Sequence, residues 1–348
     1  MKLNSKALLA AAGLAAFAFS PANAYEAGYP GWQTKPGAFI GSSAGVPPPG
    51  IYMFNQLFTY QSNLVGPGTT ALGLGNRNSV QGNVDVQGFL FVPGWTFLGA
   101  TYDAVIVQPF ISAGVGNPAG LAPGGANVFS GVHNTYFVPV ELSWKLGTSG
   151  FAVKTGLGIG APDGTQNGPT GLGNVGNPWW TFQPELILSY LGNGWNLSAA
   201  IYDEINTANS RDNYTTGDIF HVDFTATKTI GKWTFGPVGY YVAQVTDDKC
   251  PVGTCTAFNP LGTLTNASRY QLLALGGLVE YNFGPASLSV WATQEVYSKA
   301  TNNAAAAAGS FTGGNDFSLI TRGMTVFATL SYRLWAPEEP VKPVMIHK

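Results

Sequence analysis

The sequence predicts an all-β fold, a transmembrane antiparallel up-and-down β-barrel of about 12 strands. Three observations support this prediction: segments in which apolar and polar residues alternate, connections that are alternately short and long, and tryptophans that collect near strand ends. Alternation with a period of two places apolar side chains on one face of a strand and polar side chains on the other. In a membrane barrel, the apolar face contacts lipid.

The composition is consistent with many strands. Charged residues make up only 10% of the 348 residues, whereas aromatic residues reach 13% and glycine occurs 46 times. Soluble proteins typically contain about 25% charged residues, and disordered chains are poor in aromatic residues. Beyond the N-terminus, no run of about 20 apolar residues could form a transmembrane helix. The length allows one large β domain or two ordinary domains.

Residues 1–24 have the features of a secretory signal peptide. Two lysines precede an apolar core at 7–19, and Ala22-Asn23-Ala24 forms a small-residue cleavage site. A membrane anchor is the alternative, but the apolar core ends at Ser20-Pro21 and is too short to span a bilayer. We therefore predict cleavage after Ala24 and export to the outer membrane. The mature chain has no basic patch, which argues against nucleic acid as a partner.

The mature N-terminal segment, 25–50, is rich in glycine and proline and is predicted to be irregular. The sequence leaves open whether it hangs in the periplasm or packs into a lumen. Its composition and its position before the first strand motivate the hypothesis that it gates the lumen. The barrel domain follows at 51–335, and residues 336–348 form a predicted periplasmic tail.

The predicted strands are separated by connections of two kinds. The strands are 51–62, 78–92, 95–112, 133–146, 151–160, four within 179–246, then 269–283, 286–299 and 322–335. The long loops are 63–77, 115–132, 161–178, 208–216, 247–268 and 300–321, and the five turns between them are short, as at Gly192-Asn193-Gly194 and Gly231-Lys232. This order is typical of an outer-membrane barrel, in which the short turns and both termini are periplasmic and the long loops are external.

Tryptophans near the strand ends are predicted to form aromatic girdles at the two membrane interfaces, because the amphipathic indole suits the headgroup zone. The predicted girdle residues are Trp95, Trp144, Trp179, Trp180, Trp195, Trp233 and Trp335. The last strand carries an apolar ladder that includes Leu330 and Tyr332, a feature that exported barrels offer to the barrel-insertion machinery. The other expected partners are outer-membrane lipid and a small-molecule solute.

Polar residues on the alternating strands are candidates for lining the lumen. They are Gln81, Asn83, Asp85, Gln87, Glu185, Glu204, His221, Asp223 and Gln271. The alternative is that they only form hydrogen bonds across the lumen and hold the barrel shape, since polar inward residues are general in such barrels. His221 and Asp223 share a face and suggest an acid–base pair, but no Ser or Cys nucleophile signature accompanies them. We predict no catalytic residue and no enzyme activity.

Cys250 and Cys255 lie close together in a Gly/Pro-rich loop, and an oxidising compartment makes a local disulfide the expected state. A metal site would need further ligands, and the chain contains only three histidines. We therefore predict neither a metal nor a cofactor.

Several segments resemble a known family. The segments are WWTFQPELILSYL at 179–191, AAIYDEINT at 199–207 and GDIFHVDFTATKTIGKWTFGPVGYYVAQVTDDK at 217–249, together with the Pro47–Gly50 run before the first strand. They are similar to the MetA-pathway of phenol degradation family of outer-membrane transport proteins, over roughly 47–335. The resemblance implies a β-barrel found with the catabolism of aromatic or other hydrophobic compounds. It does not extend to the loops, so it implies no particular ligand.

The function expected from these features is passive uptake of small, hydrophobic or aromatic compounds. A barrel of about 12 strands lies between the filled eight-stranded barrels and the open porins of 16–18 strands, so its lumen suits one small solute. Three alternatives stay open at this point: an outer-membrane enzyme or adhesin that uses the barrel as a scaffold, a non-specific small-solute porin, and a soluble secreted β protein.

Overall fold

The structure, a computed structural model, describes residues 29–66, 79–115, 127–166, 174–211, 213–249, 269–301 and 320–338. Its strands are β1 (Gly50–Val65), β2 (Ser79–Val92), β3 (Thr96–Phe97), β4 (Ala100–Val115), β5 (Asn127–Val132), β6 (Tyr136–Lys145), β7 (Phe151–Gly160), β8 (Thr181–Gly192), β9 (Trp195–Asn206), β10 (Ile219–Ile230), β11 (Trp233–Gln244), β12 (Arg269–Asn282), β13 (Ala286–Thr301) and β14 (Ile320–Trp335). Among these residues, no helix has the length and apolar character needed to cross a membrane.

The strands close into one antiparallel barrel. Apart from the short β3 and β5, each strand pairs with the next strand in chain order, and β1 pairs with both β2 and β14, so the sheet has no free edge at the seam. The segments β5 and β6 both pair with β4 and share one position in the wall, and β3 is a two-residue extension of the turn before β4. The barrel therefore has twelve strands around its circumference, which confirms the predicted fold class and strand number.

Two strand boundaries differ from the prediction for identifiable reasons. Leu98 and Gly99 adopt positive φ angles of 49° and 78°, so the chain turns there and β4 begins at Ala100. The second difference is β5, which falls inside the predicted loop 115–132 because that loop as a whole is rich in Gly, Pro and Asn. Pairing with β4 makes it a strand, and the His133 amide donates to the Pro109 carbonyl at 2.9 Å where β5 gives way to β6.

The outer face of most of the wall is apolar and exposed. Leu188 on β8 is 44% exposed, Phe224 on β10 is 43% and Leu275 on β12 is 53%, whereas the residues that alternate with them are buried inside the barrel. Large apolar side chains exposed around a closed sheet are typical of a membrane-spanning barrel. A soluble β protein would cover them, so this surface argues against the secreted soluble alternative.

The tryptophans divide into two groups. Trp95, Trp180, Trp195, Trp233 and Trp335 are exposed near strand ends, as the girdle prediction requires of them, and Trp144 is partly buried. Trp179 differs, because it is only 2% exposed and packs edge-on against Tyr29 inside the barrel, with the ring centroids 5.4 Å apart. The girdle prediction for Trp179 is therefore corrected: its ring belongs to the lumen. The cysteines at 250 and 255 and the signal peptide lie outside the described residues.

Candidate functional site

The N-terminal segment 29–49 occludes the lumen: its greater part lies inside the barrel, and Pro48 and Pro49 are exposed at the end with the short turns. It begins beside Trp179 at the end with the long loops, and Ala44 contacts β8 close to the end with the short turns. The segment contains tight backbone turns, with the amides of Ala38, Ile40 and Ser42 donating to carbonyls three residues earlier. Tyr29, Trp32, Ile40 and Ala44 are all buried. These apolar side chains occupy part of the lumen. The sequence alone left open whether the segment packs there or hangs in the periplasm.

Side chains on the inner face of β8, β9 and β10 hold this segment by accepting its backbone N–H groups. Glu204 accepts from the amides of Gln33 and Thr34 at 3.3 and 3.1 Å, and Asp223 accepts from the amides of Gly37 and Phe39 at 2.9 and 3.0 Å. Two hydroxyls continue the series: Thr225 accepts from the Gly41 amide at 2.9 Å and Ser189 from the Ala44 amide at 2.8 Å. Buried backbone amides need such partners, so these polar side chains replace strand pairing.

Lys35 anchors the middle of the segment in an aromatic cage. Its ammonium lies 4.8–4.9 Å from the ring centroids of Trp32, Tyr60 and Tyr240. It also lies 3.8 Å from the Glu295 carboxylate, which accepts hydrogen bonds from the two tyrosine hydroxyls at 3.0 and 2.8 Å. A desolvated cation surrounded by aromatic faces and one carboxylate is a strong electrostatic contact. The cage could not be predicted from the sequence, because its members come from four distant parts of the chain: Trp32 with Lys35, Tyr60, Tyr240 and Glu295.

A second buried charge cluster lies on the inner face of β4, β6, β7 and β8. The Lys154 ammonium donates to both oxygens of Asp103 at 3.2 and 3.1 Å and to Glu141 at 2.9 Å. Beside it, Glu185 lies over Gly156, where an added Cβ would come within 2.6 Å of the carboxylate oxygen. Three carboxylates therefore surround one lysine on the polar side of the lumen.

His221 and Asp223 do not form an acid–base pair. The Nε2 atom of His221 lies 2.9 Å from the Gln183 side-chain nitrogen, and its ring stacks on Tyr202 at 4.8 Å. Tyr202 stacks in turn on Phe39 of the occluding segment at 4.6 Å. Asp223 is engaged by the segment amides, so the two residues contact different partners.

The opposite half of the lumen is apolar and contains a cavity of about 440 Å³. The wall of the cavity comes mainly from β1, β2 and β4, and its other side is the occluding segment. Its apolar lining includes Phe39, Ile40, Phe54, Phe58, Val84, Val86, Val105, Val107, Ile111 and Trp291. At one point the cavity wall depends on a glycine: a Cβ on Gly88 would lie 2.1 Å from the Phe54 ring. The lumen is thus divided into a polar half that holds the segment and a mainly apolar half that is partly empty, with polar side chains such as Gln56, Ser289 and Thr329 also bordering the cavity.

The structure places the predicted lumen residues on two different faces. Glu185, Glu204, His221 and Asp223 lie inside and are at most 6% exposed. By contrast, Asn83, Asp85, Gln87 and Gln271 lie on the outer face, and all of them except the partly buried Asp85 are exposed. The lumen assignment of these four residues is corrected, because on β2 the inner positions are taken by Val84 and Val86. Gln81 is also exposed, but it borders the lumen cavity. The alternation along β2 was evident in the sequence, but a period of two does not say which face is inside.

Outside the strands, a buried carboxylate closes the end of the barrel with the long loops. Asp248 accepts from the Tyr214 hydroxyl at 2.7 Å and from the Gly217 amide and the Gln244 side chain at 2.8 Å each. Burial raises the pKa of Asp248 to about 8, against the lowering effect of these hydrogen bonds. This contact ties the 208–218 connection to the end of β11.

Comparison with known proteins agrees with this architecture. The sequence profile of the family described as "Putative MetA-pathway of phenol degradation" matches residues 58–312. The chain belongs to this family. Among solved structures, it is similar to the COG4313 outer membrane channel from Pseudomonas putida F1, with a TM-score of 0.62 and 11% identity over 86% of this chain and 99% of that one. That likeness shows a shared fold.

Two further solved structures are similar at a lower level. The β domain of the Bordetella autotransporter BrkA has a TM-score of 0.41 and 14% identity, covering 82% of this chain and 100% of its own. The TodX deltaS2S3 mutant monoaromatic hydrocarbon channel has a TM-score of 0.38 and 9% identity, covering 88% and 95%. A comparison with curated protein sequences gave no match.

Proposed function

We propose that this protein is an outer-membrane channel for passive uptake of small hydrophobic or aromatic compounds. The observation that carries the proposal is the apolar cavity of about 440 Å³ beside the occluding segment. Cavities that bind small molecules typically measure about 300–1,000 Å³ and have mainly apolar and aromatic linings. The solved channel with the same fold is named as an outer membrane channel, and the family is described by phenol degradation.

In this proposal the two halves of the lumen have different tasks. The polar half, with Glu204 and Asp223, keeps the segment 29–49 in place through its backbone amides. The apolar half offers a solute mainly apolar side chains, so moving a hydrocarbon ring from the membrane into the cavity costs little free energy. Passage requires the segment to shift, which makes it the gate of the channel. No chemical step is part of the mechanism, and we propose no catalytic role for any residue.

The proposal also includes the route to the membrane. Residues 1–24 act as a cleaved signal peptide, and the apolar ladder of β14 is recognised by the barrel-insertion machinery. The outward positions of β14 include Leu330, which is 42% exposed and pairs with β1 at the seam. N-terminal sequencing of the protein from outer membranes tests the cleavage, with Tyr25 expected as the first residue.

Uptake into proteoliposomes tests the channel. Monoaromatic phenols, aromatic acids, alkanes, sugars and amino acids are compared, with the intrinsic fluorescence of the lumen tryptophans as a parallel binding signal. Aromatic and apolar solutes are expected to enter, and sugars and amino acids are not. Equal passage of sugars would instead establish the non-specific porin.

A matched pair of variants tests the cavity as the site. Val86 is buried on the cavity wall, and Leu188 is exposed on the outer face of the far side of the barrel. Val86→Thr is expected to weaken uptake of aromatic solutes, because a hydroxyl then lies in an apolar cavity without a designed partner. Leu188→Thr makes the same kind of change outside the lumen and is expected to leave uptake unchanged. Equal uptake by both variants would remove the cavity from the mechanism.

A further inference from the structure

The outer face of β1, β2, β4 and β5 carries a polar area in a wall that is mostly apolar. Strand pairing aligns its residues in three rows that run across the strands. The first row is Thr59, Asn83, Ser112 and Ser130, the middle row is Leu57, Asp85, Phe110 and Val132, and the last row is Asn55, Gln87 and Gln108. These three rows are termed the outer polar patch.

The patch lies at the depth where a barrel normally faces hydrocarbon. Asn83 and Gln87 are nine and five residues from the end of β2 at Val92, beside the short turn. Strands that rise about 3.3 Å per residue and tilt by about 40° place them roughly 23 and 13 Å above that end, within the apolar band of about 25 Å. On the far side of the barrel, β10 has the partly buried Phe220 and the exposed Phe224 on its outer face over the same part of its length.

Contact with lipid is energetically unfavourable for this patch. Amide and carboxylate groups in hydrocarbon lack hydrogen-bond partners, and each unpaired polar group costs free energy there. Only some of these polar side chains have hydrogen-bond partners within the wall: Asn55 donates to Asp85 at 2.8 Å, and Gln108 accepts from Thr135 at 2.8 Å. Asn83 and Gln87 are exposed.

The arrangement of the rows is that of a protein–protein contact. The middle row contains three apolar side chains, with Leu57 51% exposed, Phe110 42% and Val132 36%, and a polar row lies on each side. The fourth member of the middle row, Asp85, is partly buried and accepts a hydrogen bond from Asn55. An apolar centre with a polar rim is the usual anatomy of an interface between proteins. A surface that faces lipid would have the polar rows replaced by apolar residues.

The chemistry of the patch selects a second copy of this chain as the occupant. Two copies in one membrane share the same orientation, so a two-fold axis along the membrane normal brings each row opposite its own counterpart at the same depth. Asn and Gln side chains both donate and accept, and a row of amides is therefore complementary to itself. The single carboxylate, Asp85, already accepts a hydrogen bond from Asn55 in its own wall.

We propose that the outer polar patch is the contact surface of a homodimer in the outer membrane. The two copies meet through β1, β2 and β4, with Leu57 and Phe110 at the centre of the contact and the amide rows of Asn83 and Gln87 hydrogen-bonded across it. The lumen and the occluding segment of each copy stay separate, so dimerisation does not depend on the proposed transport function.

Cysteine cross-linking in outer membranes tests the dimer. Asn83→Cys is treated with a short bis-maleimide, and Phe224→Cys, exposed on β10 across the barrel, is the matched control in the same background. A cross-linked dimer is expected for Asn83→Cys and not for Phe224→Cys. Monomer alone from both, or an adduct of Asn83→Cys with a different protein, overturns the proposal.

A second measurement does not rely on a cysteine variant. Native mass spectrometry of the wild-type chain released from lipid nanodiscs is expected to show a dimer, and Asn83→Leu/Gln87→Leu is expected to lose it. Folding of each variant is checked by the heat-dependent shift in gel mobility that intact barrels show. A wild-type chain that is only monomeric, or a double variant that dimerises as well as the wild type, overturns the proposal.

Discussion

Removal of the Asp223 carboxylate is the most direct test of how the lumen is closed. The two carboxylate oxygens accept from the Gly37 and Phe39 amides at 2.9 and 3.0 Å, and Asp223 is only 1% exposed. A hydrogen bond to a charged group contributes about 1.5–3 kcal/mol, so Asp223→Ala removes about 3–6 kcal/mol of contacts. Because the variant also avoids the cost of burying a charge, about 2–3 kcal/mol is expected as the net loss.

A free-energy loss of that size strongly shifts the equilibrium between the held and the released state of the segment. Each 1.4 kcal/mol is a tenfold change in an equilibrium constant, so the released state of segment 29–49 is expected to rise roughly 30- to 140-fold in Asp223→Ala. Two measurements report it: single-channel conductance in planar bilayers, and the rate at which a maleimide labels Ala44→Cys. Ala44 is 1% exposed, so labelling requires the segment to move. Both the open probability and the labelling rate are expected to increase.

Two neighbouring residues on β10 provide graded controls. Thr225→Val removes one neutral acceptor, that of the Gly41 amide, so about 1 kcal/mol and a roughly fivefold change are expected. Phe224→Leu alters the side chain that lies between these two residues and points outward, and it is expected to change neither reading. If Asp223→Ala folds and still conducts and labels like Phe224→Leu, the segment is not held by its backbone amides and the reasoning fails.

Four further predictions concern other contacts in the lumen and at the end of the barrel with the long loops. Lys35→Met leaves the carboxylate in the aromatic cage without its cation and is expected to speed labelling of the segment by about tenfold, whereas Lys35→Arg, which keeps the charge, is expected to have a smaller effect. Gly88→Ala is expected to push the Phe54 ring into the cavity and to weaken binding of an aromatic solute, measured by tryptophan fluorescence; unchanged affinity would contradict the cavity as the site. Lys154→Met leaves two buried carboxylates unpaired and is expected to lower the free energy of unfolding in urea by about 3–5 kcal/mol, with an unaltered transition midpoint as the contrary result. Since the pKa of Asp248 is raised to about 8, protonated Asp248 stabilises the fold fully at pH values below the ordinary carboxyl pKa, and this stabilisation is lost as pH rises through 8. Hydrogen exchange of the 208–218 connection is therefore expected to quicken as pH rises through 8. Asp248→Asn is expected to abolish that pH dependence.

The closed barrel could be predicted because its main determinants are local. Alternation along a strand, Gly-containing turns such as Asn193-Gly194 with φ angles of 53° and 77°, and loop lengths all depend on residues close in sequence. These local features predicted the fold class, the strand number and most strand bounds. Polar side chains on β8, β9 and β10 were predicted to be inside for the same reason, because they alternate with apolar residues along each strand, as Asp223 does with Phe224.

Which face of β2 points into the lumen could not be predicted, because the alternation along the strand fits either orientation. Gln81, Asn83, Asp85 and Gln87 alternate with small apolar residues, and either set could have pointed inward. The occluding segment decides the matter: once it fills the polar half of the lumen, Val84 and Val86 face its apolar side chains across the cavity. The same long-range packing removes Trp179 from the girdle, since Tyr29 lies beside it.

By itself, the sequence determined that this protein is a twelve-stranded antiparallel barrel with unlike ends, because hydrophobic periodicity and turn chemistry are read from neighbours along the chain. Only the tertiary structure decided what the lumen contains. Lys35 meets Tyr60, Tyr240 and Glu295 across as many as 260 residues of sequence, and the amides of the segment find Glu204 and Asp223 on strands more than 170 residues away. Contacts of that range arise only when the barrel closes around the segment, and they carry no local pattern.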